Sequence, residues 1–409
     1  MPVFFLGTRA FYLFANLWNN FDMDTVLLKN VSLTSAGSKP VSLLIINGKI
    51  AEIFEVDKNF AGADMIDLGA KRVVPGFIDI HSHGAVGVDV NLADTEGLFK
   101  IAAYLAANGV TAWMPTLVPD SDENYRRAIS AIDGLMDRQS DRPVAQALGV
   151  HYEGVFASRQ MCGALRPQYF KRFTGKEVAE LPRLRKGVHM TTFAPEVEGG
   201  IALAEELTQN GWIASIGHTQ ADPMTLDGAF AAGARHMTHF FNAMTGLHHR
   251  DVGAVGWALT RHPVTFDIIA DGIHVNPKVL ELACRTKSPD KVTLISDSVA
   301  PTGLGDGDYE LWGERVSVEN GRTKNERGSI AGSVITMLDA VKRMRTLGFS
   351  DADVSKMASA NPAKVLGIDK THGSVEIGKR ADLVALDPDG NVDAVMIGGK
   401  IVSQTLSVS

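Results

Sequence analysis

An α/β chain built around a (β/α)8 barrel, with a small β-sandwich assembled from both termini, is the fold that three features of the sequence predict. Between residues 76 and 374, short β-rich runs alternate with helix-like stretches, the mark of βα units around a parallel sheet. Short strands and glycine turns occupy both ends of the chain. Potential metal ligands recur where the middle runs stop, and active sites of such barrels sit at the C-terminal ends of the strands.

With 409 residues, 45% of them hydrophobic and 21% charged, the chain can bury a large core and suits one big domain with a smaller companion. The formal net charge of −7, without a Lys/Arg cluster, gives a nucleic-acid partner no electrostatic footprint. Two cysteines, Cys162 and Cys284, cannot make a disulfide framework, so a reducing cytoplasm is the expected compartment.

The stretch MPVFFLGTRAFYLFANLW is apolar, yet its one basic residue, Arg9, sits inside it and no A-x-A-like cleavage site follows. It is too short and interrupted to span a bilayer comfortably, so residues 1–24 read as an extension that packs locally or frays. From Thr25 the texture is β: TVLLKNVSL, then VSLLIINGKIAEIFEV with its Asn47-Gly48 turn, then a segment up to Val74. The stretch GSVEIGKRADLVALDPDGNVDAVMIGGKIV repeats this pattern near the other end. Neither piece can bury a good core alone, so the two are expected to meet. The expected division is 1–75 for the extension and first part of the sandwich, 76–374 for the barrel, and 375–409 for the rest.

Eight strands are expected in the middle: FIDIHSH, VTAWMPT, VAQALGVHYE, GVHMTTFAPE, WIASIGH, RHMTHF, VTFDIIADGIH and KVTLISD. Helix-like segments such as EGLFKIAAYLAANG and ADPMTLDGAFAAGA separate them. His83, Glu153, His218, His239, His274 and Asp297 fall at or just after the ends of these runs.

His81 and His83 are two apart, so on a strand both leave the same face and can converge on one cation. A buried Glu153 is costly to keep charged unless a cation accompanies it. His218 and His239 end neighbouring strands and can complete the shell. The set suffices for one or two divalent metals beside a general base, the chemistry of a metallohydrolase. Each residue alone supports a blander reading: a lone H-x-H is more often a satisfied pair, and Asp297 could cap the next loop. Joint placement is what favours the metal. His151, His189, His236, His248, His249, His262 and His372 are assigned no metal role, and Cys162 ranks far behind.

The motifs PGFIDIHSHG, HYEG, GHT, HFFNAM with HHRDVGAVG, IADGIHV, LISD, IAGSVITM and NPAKVLG followed by GSVEIGKRADLVALD together resemble the amidohydrolase superfamily. The likeness runs from about residue 25 to the C-terminus, and HFFNAM, HHRDVG and IADGIHV point to its sugar-phosphate deacetylase branch. That resemblance implies hydrolysis of the acetamide of N-acetylglucosamine 6-phosphate to glucosamine 6-phosphate and acetate. By position, Glu153, His218 and His239 match the ligands of the principal metal, and His81 and His83 a pair that holds a second metal in some members. Asp297 matches the catalytic acid/base, and His274 the residue that orients or polarises the acetyl carbonyl. Asn242, Ala243 and Arg250 match positions that grip the phosphate, with the arginine reaching in from a neighbouring subunit, so the resemblance implies a homodimer. Zinc, iron, manganese and cobalt all suit such ligands.

One segment departs from the pattern. Where the branch reads EGPF and then GAHNP, this chain reads EGVFASRQMCGALRP, placing Val155 for the proline and Leu165 for a histidine that contacts substrate. Arg159 or Arg166 could supply a replacement polar contact, or face solvent. The departure keeps open the same hydrolysis on the galactosamine epimer or another N-acyl amine. A non-catalytic scaffold is a remote third reading, disfavoured by the intact ligand set.

Overall fold

The computed structural model describes residues 24–33, 39–55 and 63–402, so the expected N-terminal extension lies outside the described residues except for Asp24. Eight parallel strands form the barrel: β1 (Phe77–Ser82), β2 (Val110–Leu117), β3 (Gly149–Phe156), β4 (Val188–Phe193), β5 (Ile213–Ile216), β6 (His236–Met237), β7 (Thr265–Ile269) and β8 (Val292–Ile295). Each is hydrogen-bonded to the next in sequence. The circle closes where the Asp297 N–H donates to the His81 carbonyl at 2.9 Å and Ser82 bridges Ser298. All eight expected runs are therefore strands of one barrel. The expected third run is broken: its first part, Gln146–Ala147, pairs with β2 separately from β3.

Helices return the chain between strands, and their ends follow from local chemistry. The segment read as EGLFKIAAYLAANG is the helix Thr95–Ala107, begun by Asp94, whose side chain accepts the Gly97 N–H. Its buried Leu98, Phe99, Ile101, Ala102 and Leu105 recur at helical spacing. Pro223 opens the helix Pro223–Ala231 after the capping Asp222. Between β3 and β4 the one α-helix is the short Glu177–Glu180, preceded by the 3-10 turns Arg159–Met161 and Pro167–Tyr169. Gly149, at the start of β3, allows close strand approach: a Cβ there would lie 1.9 Å from the Val188 carbonyl oxygen. This pairing continues in register to Glu153 opposite Thr192, which brings Glu153 to the barrel mouth.

Strands from both termini form the smaller β unit. Thr25–Leu33 pairs with Val41–Ile46 on one side and with Asp64–Asp67 and Arg72–Pro75 on the other. Leu383–Leu386 joins Arg72–Pro75, and Val392–Ile397 and Lys400–Val402 follow. Leu28, Val31, Leu43, Ile45 and Ile50 pack with Ala381, Leu383, Ala394 and Met396 in a single apolar core. Neither end has enough apolar surface alone, and together they exclude water.

One element is absent from the expectations above. After β8, three antiparallel strands, Gly307–Leu311, Glu314–Glu319 and Arg322–Asn325, form a separate sheet. It packs over the barrel mouth through Leu311 and Val316 against Val299, Ala300 and Ala331. No helix among the described residues is long and apolar enough to cross a membrane.

Candidate active site

Three of the convergent side chains reach the mouth by the same local device. His218, His239 and Asp297 each stand two residues past the end of a barrel strand, β5, β6 and β8. Each has a left-handed backbone, with φ of 48°, 33° and 51°. Such conformations are uncommon for non-glycine residues and cluster at functional sites, where surrounding bonds hold them. At His239 the bond is from its own N–H to the buried Asp267 carboxylate, which also meets His236 Nε2 at 3.0 Å. At His218 the carbonyl accepts from the Ser158 N–H at 3.0 Å.

The ligand atoms form two adjoining groups, His81, His83 and Asp297, and Glu153, His218 and His239, all buried. His81 Nε2 lies 3.0 Å from His83 Nε2, and His218 Nε2 3.0 Å from His239 Nε2. Glu153 stands between the groups: Oε1 is 3.0 Å from both His218 and His239, and Oε2 is 3.2 Å from His83. Asp297 Oδ1 is 3.3 Å from His83 Nε2 and 3.5 Å from His81 Nε2.

This donor set fits divalent cations. Ligands at bond lengths of 2.0–2.1 Å around a tetrahedral ion are about 3.3 Å apart, close to the spacings found here. The Nδ1 atoms of His218 and His83 face the carbonyls of Met161 at 2.7 Å and Thr116 at 3.2 Å, which leaves each Nε2 lone pair for the site. His151, edge-on to His81 at 4.7 Å, has Nε2 committed to Thr192 at 2.7 Å. Burial, then the charge of His81, holds it well below the ordinary histidine value, so it packs as a neutral ring.

Electrostatics tie the groups together. Burial is the largest influence on Glu153 and would raise its pKa, but the His81 charge and hydrogen bonds from His218 and His239 hold it well below the usual range. Burial likewise pushes His83 down, but bonds to Asp297 and Glu153 override it and lift His83 to about 10. The same balance against Glu153 raises His239 to about 9. Without a cation, these two rings carry protons at neutral pH; a cation must displace them. Metal uptake at pH 7 is therefore expected to release about two protons, fewer as pH rises through 9 to 10, and to weaken as pH falls. Calorimetry in buffers of different ionisation enthalpy measures that count, and a pH-independent count of zero contradicts the assignment.

All the ligand residues but His81 line a cavity of about 290 Å³. It is lined by His83, Glu153, His218, His239 and Asp297, by Asn242, Ala243 and His274, and by Gly163, Ala164, Leu165, Trp312, Ser329, Ile330 and Gly332. Larger openings, about 700 Å³ beside the small β unit and about 500 Å³ lined by Thr293 and Lys364, hold none of these ligand groups. His274 Nδ1 is 2.6 Å from Asp271, whose other oxygen accepts the backbone N–H groups of Ile273 and His274. The pair sets the ring so that Nε2 remains for the cavity. Asp271 had no assigned role in the sequence reading, although its spacing of three from His274 within IADGIH is a usable signal. Asp267 and Trp312 had no comparable signal.

Arg250 does not line this cavity; it is exposed, with Nη1 2.8 Å from His249. The two arginines offered as replacements for the missing histidine are also elsewhere. Arg166 pairs with Asp120 at 2.8 Å, and Arg159 is exposed. Val155, within β3, is wholly buried in the main apolar core, so of the two departures only Leu165 lines the cavity. Cys162 is a half-buried free thiol outside both ligand groups.

The model of the amidohydrolase family matches residues 72–402, which contain every barrel strand and every ligand named above. The chain belongs to the amidohydrolase family. Among relatives of this amidohydrolase, the N-acetylgalactosamine-6-phosphate deacetylase of Escherichia coli O157:H7 is 36% identical over 366 residues, 88% of this chain and 94% of the relative. The N-acetylglucosamine-6-phosphate deacetylase of Bacillus subtilis (strain 168) is 34% identical over 385 residues, 92% and 97% of the two chains. A structure of a mutant N-acetyl-D-glucosamine-6-phosphate deacetylase from Mycobacterium smegmatis, in complex with N-acetyl-D-glucosamine 6-phosphate, superposes with a TM-score of 0.82. It is 30% identical and covers 93% of this chain and all of its own.

Proposed function

We propose that this amidohydrolase cleaves the acetamide of N-acetylglucosamine 6-phosphate, giving glucosamine 6-phosphate and acetate in a reducing cytoplasm. The observation that carries the reading is Asp297: a buried carboxylate 3.3 Å from a ligand nitrogen, lining a cavity that Asn242 and His274 also line. Glu153, His218 and His239 would hold the principal cation, and His81 and His83 a second, with zinc, iron, manganese or cobalt each suited to the donors. When bound, such an ion supplies Lewis-acid activation of water and of the amide carbonyl.

The chain's own groups do the rest. Asp297, held below the ordinary carboxylate range chiefly by the charge of His81 and the bond to His83 acting against burial, is ionised and accepts a proton from the attacking water. His274, with Nδ1 fixed by Asp271, directs Nε2 at the carbonyl oxygen as negative charge grows there. Asp297 then passes its proton to the departing sugar nitrogen as the C–N bond breaks, so the amine leaves neutral beside acetic acid, which gives its remaining proton to water as acetate. Asn242 and the Ala243 backbone grip the phosphate together with Arg250 of a second copy, since Arg250 lies outside its own cavity and a guanidinium can give phosphate two parallel bonds. The reading thus includes a homodimer.

The test is acetate release from N-acetylglucosamine 6-phosphate by the purified protein, before and after a chelator, with its metal content measured. Release that stops on chelation and returns with a divalent ion is the expected result. Release indifferent to thorough metal removal refutes the proposal.

A further inference from the structure

A histidine holds a cation well only if something aims its ring. For His218 and His83 the Nδ1 edge does this, facing the carbonyls of Met161 at 2.7 Å and Thr116 at 3.2 Å. His239 differs: its Nδ1 is buried and meets no hydrogen-bond partner among the described residues. His81 shares that lack, but it lies within the regular strand β1, where the ladder fixes the backbone. His239 stands past the end of its strand with a left-handed φ of 33°, a conformation that a non-glycine residue keeps only where its surroundings impose it. The direction of this ring is therefore set from the main chain.

That stretch of main chain rests on one residue. The His239 N–H donates to a carboxylate oxygen of Asp267, and the next N–H, of Phe240, donates to the Asp267 carbonyl at 2.8 Å. The other carboxylate oxygen lies 3.0 Å from His236 Nε2, and His236 Nδ1 lies 2.7 Å from the Thr265 hydroxyl. Asp267 and His236 are both buried, so bulk water cannot take over these bonds. Resting on the reading of Glu153, His218 and His239 as the principal ligands, we infer that Asp267, anchored by His236, is a positioning residue that holds the left-handed turn and so points His239 Nε2 at the cation. Asp267 belongs to neither ligand group and does not line the cavity, so it acts through His239 alone. A carboxylate suits the place because it accepts an amide N–H on one oxygen and an imidazole N–H on the other.

The test measures zinc affinity, by competition with a chelator, in the wild type and in Asp267→Ala and Asp267→Asn. Alanine leaves the buried His239 N–H without its acceptor, and zinc affinity is expected to fall by about 10- to 100-fold, the usual scale for losing a group that orients a ligand. Asparagine keeps an acceptor for that N–H, and its NH2 can face His236 Nε2 once the neutral ring carries its proton on Nδ1, toward Thr265. This variant is expected to recover most of the loss. The visible absorption of the cobalt-loaded protein, which reports coordination geometry, is expected to change in Asp267→Ala and to return in Asp267→Asn. Should Asp267→Ala not fold, His236→Leu carries the comparison: it removes one anchor of the carboxylate, and zinc affinity is expected to fall by about tenfold. Wild-type zinc affinity in the folded Asp267→Ala protein, or in His236→Leu where alanine does not fold, overturns the inference even if the metal-free protein unfolds at a lower temperature. So does a loss in Asp267→Asn as large as in Asp267→Ala, since charge and not the bond would then act. In each of these cases the wild type still binds zinc and the metal reading stands. A wild type that binds no zinc overturns that reading, and the inference with it.

Discussion

Asp297→Asn is expected to lower acetate release by about 10³-fold, the typical scale of general acid–base catalysis, while the protein still binds a divalent ion. Asparagine keeps the size and one acceptor oxygen but can neither take a proton from water nor return it to the sugar nitrogen. Asp297 also contacts His81 and His83, so any metal lost should come from that group and leave the ion at Glu153, His218 and His239. Parallel measurement of kcat, KM and metal content separates these effects. A variant with full acetate release would remove Asp297 from the chemistry; one that lost all metal would make it a ligand first.

Glu153→Gln should have the second large effect, for a different reason. One oxygen of Glu153 lies 3.0 Å from two histidines and the other 3.2 Å from a third, so a single carboxylate joins both ligand groups. An amide offers one neutral acceptor oxygen and turns an NH2 toward ring nitrogens that must act as acceptors. Metal retention after dialysis is expected to fall to about one tenth or less, and acetate release with it, by about 10³-fold. Added zinc should raise the wild-type unfolding temperature by mass action and leave the variant nearly unmoved. Equal metal content in the two proteins would exclude Glu153 as a principal ligand. In the metal-free wild type the carboxylates and rings also stabilise each other. The share from His83 and His239 is present below their unfolded value and lost as pH rises through about 9 to 10; the share from Glu153 and Asp297 is lost as pH falls through their depressed values.

Much of this was legible because the relevant signals are local. Barrel strands such as VTLISD and WIASIGH are apolar runs of strand length that stop at a polar residue, and both read alike in sequence and in space. The H-x-H spacing of His81 and His83 fixes that their side chains can share one target, and their ring nitrogens do approach to 3.0 Å. The hairpin sheet after β8 was not legible: its alternating, turn-rich stretch lies among βα units, and nothing local says that it folds back over the mouth. Arg159 and Arg166 illustrate the converse. Both are near Leu165 in sequence and both carry suitable donors, yet Asp120 claims one and solvent the other.

The amino-acid sequence by itself determined the alternation of elements, the chemical types gathered at the strand ends and the family to which the chain belongs, because periodicity and motif spacing are properties of neighbours along the chain. Only the tertiary structure decided that Glu153 stands between two ligand groups and that Trp312 packs on Leu165. Those pairings join residues up to 147 positions apart, between 165 and 312, and their partners are chosen by barrel closure and sheet packing. A side chain's neighbours in space follow from where its backbone is carried, and no local pattern records that.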